Sequence, residues 1–229
     1  MSTLTSMLLS LALLLFGTTT ALAQSAPTPF VAHYRLAISG WPDATITHRL
    51  SRHGDAWESA MQASVKIAHG EERGRFTVKG DGVQALDYTS GYSLLGIGDD
   101  YHLNAKQLKR LPDRQTALFE LARTAPEARC RSDQVSPCQL TYQDHKGRDK
   151  TLFYRVTGEK EVTTPAGKFP GVSVDTWDAD PDKRGRHLFL TFDRDVPGLL
   201  LASRYVRDGE QRSQLTLLDV SFPQDKGVE

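Results

Sequence analysis

The sequence predicts an all-β protein, a mainly antiparallel curved sheet or partly open β-barrel that carries one short helix. Three observations predict it. Apolar residues recur at every second position through about a dozen segments of strand length. Gly, Pro and Asp separate those segments at short, regular intervals, the spacing of sandwiches and barrels rather than of α/β folds. One segment alone, opening at Leu111-Pro112-Asp113, changes to helical spacing.

The elements follow in order. Phe30 to Ile38 has strand length and places Tyr34, Leu36 and Ile38 on one face, and Gly40-Trp41-Pro42-Asp43 is turn chemistry. Ala44 to Leu50 alternates again, with Ile46, His48 and Leu50 together, until Gly54-Asp55 breaks the pattern. Trp57 to Ile67 keeps period two through Trp57, Ser59, Met61, Ala63 and Val65. Gly74 to Lys79 leads into the tight turn Gly80-Asp81-Gly82. Val83 to Tyr92 and Asp100 to Leu108 are two further strands, interrupted by Leu95-Gly96-Ile97-Gly98. The helix starts with Pro112 and Asp113, shows a stripe of Leu118, Leu121 and Ala122, and is stopped by Pro126. Strands then run near 139–144, 150–158, 161–164, 171–177, 186–193, 198–207 and 211–222. Residues 30–222 therefore form a single β-rich domain, with 223–229 as a C-terminal tail.

The first 23 residues bear on location. Met7 to Phe16 is apolar apart from Ser10, and Ala21-Leu22-Ala23 supplies an A-x-A cleavage site, as in a secretory signal peptide. The run is shorter than the ~20 apolar residues of a bilayer span. No Lys or Arg precedes it, so the α-amino group supplies the positive end. The expected mature chain begins near Gln24, has residues 24–29 as a flexible lead-in, lacks a membrane span, and works in the periplasm. Lys plus Arg and Asp plus Glu are both 28, and no basic block occurs, which argues against a dedicated nucleic-acid binder. In an oxidising compartment the two cysteines, Cys130 and Cys138, read as a structural disulfide closing a short polar loop, a constraint of roughly 2.5 kcal/mol. Two free thiols are the alternative; the Cys-x-x-Cys pattern of redox pairs is absent.

Several segments resemble a family of bacterial exported proteins, domain of unknown function 3108. Tyr154 to Phe169 is similar to its strand, Gly-x-Glu, then Thr-Pro-x-Gly-x-Phe hairpin. Leu111 to Leu118 resembles the Asp-containing start of its central helix, and Phe76 to Tyr88 its strand, Asp-Gly turn and return strand. Phe189 to Pro197 resembles a strand ending in Asp-x-x-x-Pro, with Leu188 where an aromatic is usual. The resemblance implies a periplasmic, part-barrel antiparallel architecture. It implies no reaction and no catalytic residues. Thr164-Pro165-Ala166-Gly167 is in its own right a tight hairpin turn.

Motifs that carry chemistry are scarce. His33 and His48 sit on neighbouring strands and can approach, but no third metal ligand is identifiable. Asp178-Ala179-Asp180-Pro181-Asp182 alternates carboxylates as calcium loops do, yet lacks the glycine and glutamate of an EF-hand and adjoins Arg184 and Arg186. The G-x-S-x-G elbow, S-x-x-K, the P-loop and the dinucleotide fingerprint are missing. No catalytic residue, metal ligand or cofactor is assigned. A curved sheet can instead enclose a ligand cavity. Its candidate linings are Trp57, Tyr88, Tyr154 and Trp177, with Trp41, Tyr92, Tyr101 and Phe153 behind them; the competing role for each ring is to fill the core. The expected function is a non-catalytic periplasmic protein that binds a cell-envelope lipid or glycan. The alternatives are an envelope-assembly partner with no small ligand and, behind that, a hydrolase.

Overall fold

The computed structural model describes residues 26–65 and 67–223. The expected signal peptide and residues 224–229 of the expected tail lie outside them. The described chain forms one sheet of twelve strands with a single α-helix and two single-turn 3-10 helices. The strands are β1 (Phe30–Ile38), β2 (Ala44–His53), β3 (Ala56–Val65), β4 (Ala68–Lys79), β5 (Gly82–Leu94), β6 (Ile97–Asn104), then α1 (Arg114–Thr124), β7 (Cys138–Gln143), β8 (Asp149–Thr164), β9 (Gly167–Asp178), β10 (Arg186–Asp193), β11 (Leu200–Arg207) and β12 (Glu210–Ser221). Their order across the sheet is β6-β5-β4-β3-β2-β1-β12-β11-β10-β9-β8-β7, antiparallel throughout. The chain is a meander whose first and last strands pair in the middle, Leu36 opposite Leu215.

The sheet is curved but not closed by backbone hydrogen bonds. Side chains link edge strand β6 to the turn after the other edge strand, β7: the Tyr101 ring lies 4.8 Å from the His145 ring, and Lys146 Nζ is 5.3 Å from the Tyr101 centroid. Alternation places Tyr34, Leu50, Trp57, Phe76, Tyr88, Tyr154, Val174, Leu190 and Leu217 on the concave face, all nearly or fully buried. Each turn end follows from the pairing. The turns at 39–43, at Ile67, and at 95–96, 144–148, 179–185 and 208–209 share one end, and those at 54–55, 80–81, 165–166 and 194–199 the other.

Helix α1 fills half of the concavity. Asp113 caps it, accepting from Thr116 N at 2.9 Å and from Thr116 Oγ1 at 2.6 Å. Buried Ala117, Phe119, Leu121 and Ala122 meet the sheet, and Phe119 packs on Phe76 with centroids 4.6 Å apart. Leu118, expected on the buried stripe, is only partly covered. Arg123 Nη2 donates to the Gly80 carbonyl, so the helix runs from mid-sheet toward the 80–81 end. A side chain on Gly74 would put Cβ 2.7 Å from Asp113 Oδ1 and 2.9 Å from Gln115 Cβ, so the missing side chain seats the helix start. Behind the helix, Cys130 and Cys138 are joined as expected, with Cα atoms 5.7 Å apart. This ties the segment after the helix to the start of β7.

Several boundaries differ from expectation: β3 ends at Val65, β4 begins at Ala68 and not at Gly74, and β9 begins at Gly167 and not at Gly171. The segments at 150–158 and 161–164 are one strand, β8, because a register shift between Val156 and Gly158 absorbs the glycine instead of ending the pairing. The interruption before β6 is only Leu95-Gly96, a two-residue turn, so the strand begins at Ile97 and not at Asp100. That strand ends at Asn104, where the Asn104 side chain accepts from the Lys106 and Gln107 backbone and turns the chain before Leu108.

Replacing Gly74 with Val is expected to lower unfolding stability by about 2–3 kcal/mol, because the helix start has to move; an unchanged urea midpoint contradicts the seating. Gly167 has φ of +130° in the β8–β9 turn. Gly167→Val is therefore expected to cost about 1–2 kcal/mol in the same assay.

Candidate ligand-binding site

Because α1 covers the concave face only beyond Gly74, the half of that face toward Ile67 and the 95–96 turn is left open. Two adjoining cavities occupy it. One, of about 380 Å³, is lined by Ile46, Met61, Ala63, Gly70, Tyr92 and, at its inner end, Glu72, Ser90, Arg114 and His145. The other, of about 290 Å³, shares Ala63, Gly70 and Tyr92 and continues past Leu36, Ile38, Ala44, Val65 and Leu94 to Trp41. Strand parity explains the lining. Ile46 lies opposite Ala63, Ala63 opposite Gly70 and Gly70 opposite Tyr92, so a row of small residues runs between larger apolar ones. The absent side chain at Gly70 is the floor of the trough, and a Cβ there would meet nothing within 4 Å.

The inner end is polar and ordered by one carboxylate. Glu72 accepts from Arg114 Nε at 2.7 Å and Nη2 at 2.8 Å, and from the Tyr88 hydroxyl at 2.6 Å. The bidentate pair leaves Arg114 Nη1 outside the Glu72 contact, and Arg114 lines the larger of these two cavities. Burial and the Glu72 charge hold the Tyr88 phenol well above its ordinary range, so it remains a donor. Burial and the neighbouring Arg114 guanidinium pull His145 below the usual imidazole range, toward the neutral form.

A second polar chain lies beneath the helix. His48 Nε2 is 2.9 Å from Ser59 Oγ, which donates to Gln115 Oε1 at 3.1 Å. With the hydroxyl hydrogen on Gln115, the imidazole acts as the Nε2–H donor to Ser59. This resembles a base beside a nucleophile, but both side chains are buried, and burial pulls His48 down to about 4. The contact fastens the helix to β2 and β3 and offers no substrate a path.

The residues named from sequence divide by location. Trp57, Tyr88 and Tyr154 are buried on the concave face, Trp57 and Tyr154 in the core around α1 and Tyr88 behind the Glu72 pair. Trp177 pairs with Phe153 on the convex face, in a row with His187, Phe189 and Arg204. Trp41 and Tyr92 do line the trough. His33 and His48 do not meet: Ala32, not His33, faces His48, and His33 bonds Asp219 on the outer face. Asp180 pairs with Lys183 in the 179–185 turn, which neutralises that acidic run. Among the described residues no group of three or more His, Cys, Asp or Glu is placed to hold a metal ion. No described helix is long and apolar enough to cross a membrane. Sequence reasoning missed Arg114, Glu72 and the small residues Ala63 and Gly70. Only the fixed alternation of β3 and β4 pointed to the last two, since neither residue type marks a site.

No family model matches the chain, and no curated protein matches it. Domain of unknown function 3108 is thus not confirmed, while the part-barrel architecture that the resemblance implied is the one observed. Among solved structures, the chain is similar to a β-barrel-like protein of domain of unknown function DUF1849 from Brucella abortus. That match has a TM-score of 0.55 and 11% identity over 87% of this chain and 100% of that one. It is also similar to a protein with a YmcC-like fold from Bacteroides fragilis, with a TM-score of 0.39 and 11% identity over 87% and 99%. A third is MucB in the Pseudomonas aeruginosa MucA/MucB complex, with a TM-score of 0.40 and 14% identity over 86% and 54%. The first likeness is one of fold; the other two are too distant to carry an argument.

The buried pair gives a pH signature. The unfolded chain takes up a proton on histidine near pH 6.5, whereas folded His48 does so only near 4, so its contribution to stability is lost as pH falls through that window. Asp113 acts in the opposite sense. Burial pushes it up to about 6, so acidification from 6 toward 4 favours the fold at that site. His48→Gln removes only the first effect. Between pH 7 and 4.5 it is expected to gain about 2 kcal/mol relative to wild type in urea unfolding; parallel pH profiles for the two proteins contradict this.

Proposed function

We propose that this chain is an exported, non-catalytic protein of the cell envelope that holds the acyl chain of an envelope lipid in its open trough. The observation that carries the reading is the lining of that trough. Its walls are Leu36, Ile46, Met61, Val65 and Leu94, its floor is Ala63 and Gly70, and its polar groups converge at one end. A hydrocarbon chain fits the apolar length, and an anionic headgroup fits Arg114 Nη1 beside Ser90. Export rests on the signal-type sequence of residues 1–23. The non-catalytic reading rests on the sealing of the Ser59–His48 contact beneath the helix. A glycan is less well served, because the walls along most of the trough are apolar and offer few hydrogen-bonding groups.

A second reading, an envelope protein as partner, is favoured by one feature. Half-buried Phe153, Trp177, His187 and Phe189, with exposed Arg204, form a row across four strands of the convex face, Arg204 lying 4.6 Å over the Phe189 ring. Trp177→Ala is expected to weaken capture of such a partner and to leave lipid binding intact.

The trough is tested by titrating the protein with a lysophospholipid and following tryptophan fluorescence and melting temperature. Trp41 lines the trough, so its emission is expected to change and the melting temperature to rise by mass action; Trp41→Phe is expected to remove most of the fluorescence signal. Gly70→Leu fills the floor at a position where an added Cβ meets nothing within 4 Å. It is expected to weaken binding roughly tenfold or more, through lost room for the chain, at unchanged stability. Equal affinity of Gly70→Leu and wild type sinks the trough as the binding site.

A further inference from the structure

Three neighbouring hairpins end at the open mouth of the trough, and their tips are apolar. Trp41 is 56% exposed in the β1–β2 turn, Ile67 is 50% exposed between β3 and β4, and Leu95 and Ile97 are 73% and 81% exposed around the β5–β6 turn. The Leu95 N–H donates to the Ile67 carbonyl at 2.7 Å, which fixes two of the tips side by side. The turns at Asp55, Asp81, Asp144, Asp180, Asp195 and Asp208 each carry a carboxylate, as solvated turns do. Lys66-Ile67 and Leu95-Gly96 carry none, nor does Pro165-Ala166 at the opposite end, and Lys66 is the single charge of the first two. Asp43, in the third turn, lies 4.0 Å from Arg35.

The backbone gives a second, independent observation. Leu95 has φ of +54° and is followed by Gly96 at +81°. The same turn occurs between β11 and β12, where Asp208 at +53° precedes Gly209 at +83°. Asp-Gly is a favoured pair for such a turn, because Asp tolerates the left-handed region. A leucine there is strained, and its side chain is left in water as well. One fold thus builds the same turn twice, once with the residue that suits it and once with a residue that suits neither the backbone nor the solvent. Local stability does not explain Leu95; contact of its side chain with an apolar phase does.

We propose that the tips at Trp41, Ile67, Leu95 and Ile97 are a foot that docks the protein on a lipid bilayer, with the trough opening toward the membrane. A bilayer is the occupant that suits separate protruding points: each apolar side chain enters the acyl boundary alone, where a protein partner needs a continuous complementary face. Trp41 has the amphipathic ring favoured at the headgroup level. The inference deepens the lipid-binding reading and rests on it for the role of the docking, not for the docking itself.

The test is cosedimentation of the exported protein with vesicles of phosphatidylethanolamine and a minority of phosphatidylglycerol. Wild type is expected to sediment with the vesicles and to remain bound in high salt, since apolar insertion is not screened. Leu95→Asp is expected to reduce the bound fraction roughly tenfold or more. Leu95→Asn separates the foot from the fold, because asparagine suits the left-handed turn. It is expected to raise the melting temperature while still reducing vesicle binding. Gly70→Leu is expected to sediment like wild type although it loses lysophospholipid binding, so failure of the trough and failure of the foot are distinguishable. Absence of wild-type sedimentation, or equal sedimentation of Leu95→Asp, overturns the proposal. So does self-association without vesicles that Leu95→Asp abolishes, which assigns the tips to a second copy of the chain.

Discussion

The seating of one helix in the hollow of the sheet is the constraint on which the rest of the molecule depends. A sheet of twelve strands has far more concave surface than its own side chains can cover, and α1 supplies the missing half of the core through Phe119, Leu121 and Ala122. Apolar contact alone does not set its position. Gly74 lets the Asp113 cap approach the sheet, the Gln115–Ser59–His48 chain fixes the first turn, and the Arg123–Gly80 bond fixes the last. Buried polar bonds of this kind are specific because a shifted helix leaves them unsatisfied. The extent of the helix then decides where the core ends and the trough begins.

The strands were legible because the two signals that define them agree. Period-two burial runs through β1 to β5, and Gly or Asp marks many of the turns. Legibility failed where one signal opposed the other. Gly158 reads as a break but sits at an irregularity inside β8, and Gly98-Asp99-Asp100 hides a strand that pairs with Tyr92 and Ser93. The helix start was legible from Pro112 and Asp113. The burial of Gln115 and Thr116 was not, because only the tertiary position of the helix makes those polar residues internal.

The site was less legible than the fold. Aromatic residues suggest a binding wall by type, yet Trp57 and Tyr154 are needed to pack around α1, and the parity of β9 turns Trp177 to the convex face. Alternation says which residues share a face but not which face is concave. The trough owes its space to what is small, Ala63 and Gly70, and its polar end to Arg114, which closes on Glu72 from a different element. Leu95 stood in a glycine-rich interruption and gave no sign of its left-handed backbone. In each case the missing information was relative placement, which local pattern does not contain.

The central claim is that the unplugged half of the concavity is occupied by lipid in the cell. Native mass spectrometry of the protein released gently from the envelope tests it most directly. The account predicts a population carrying the added mass of a single lipid, lost on denaturation and absent from Gly70→Leu isolated in the same way. Wild type that carries no added mass, or Gly70→Leu that carries the same lipid to the same extent, contradicts it.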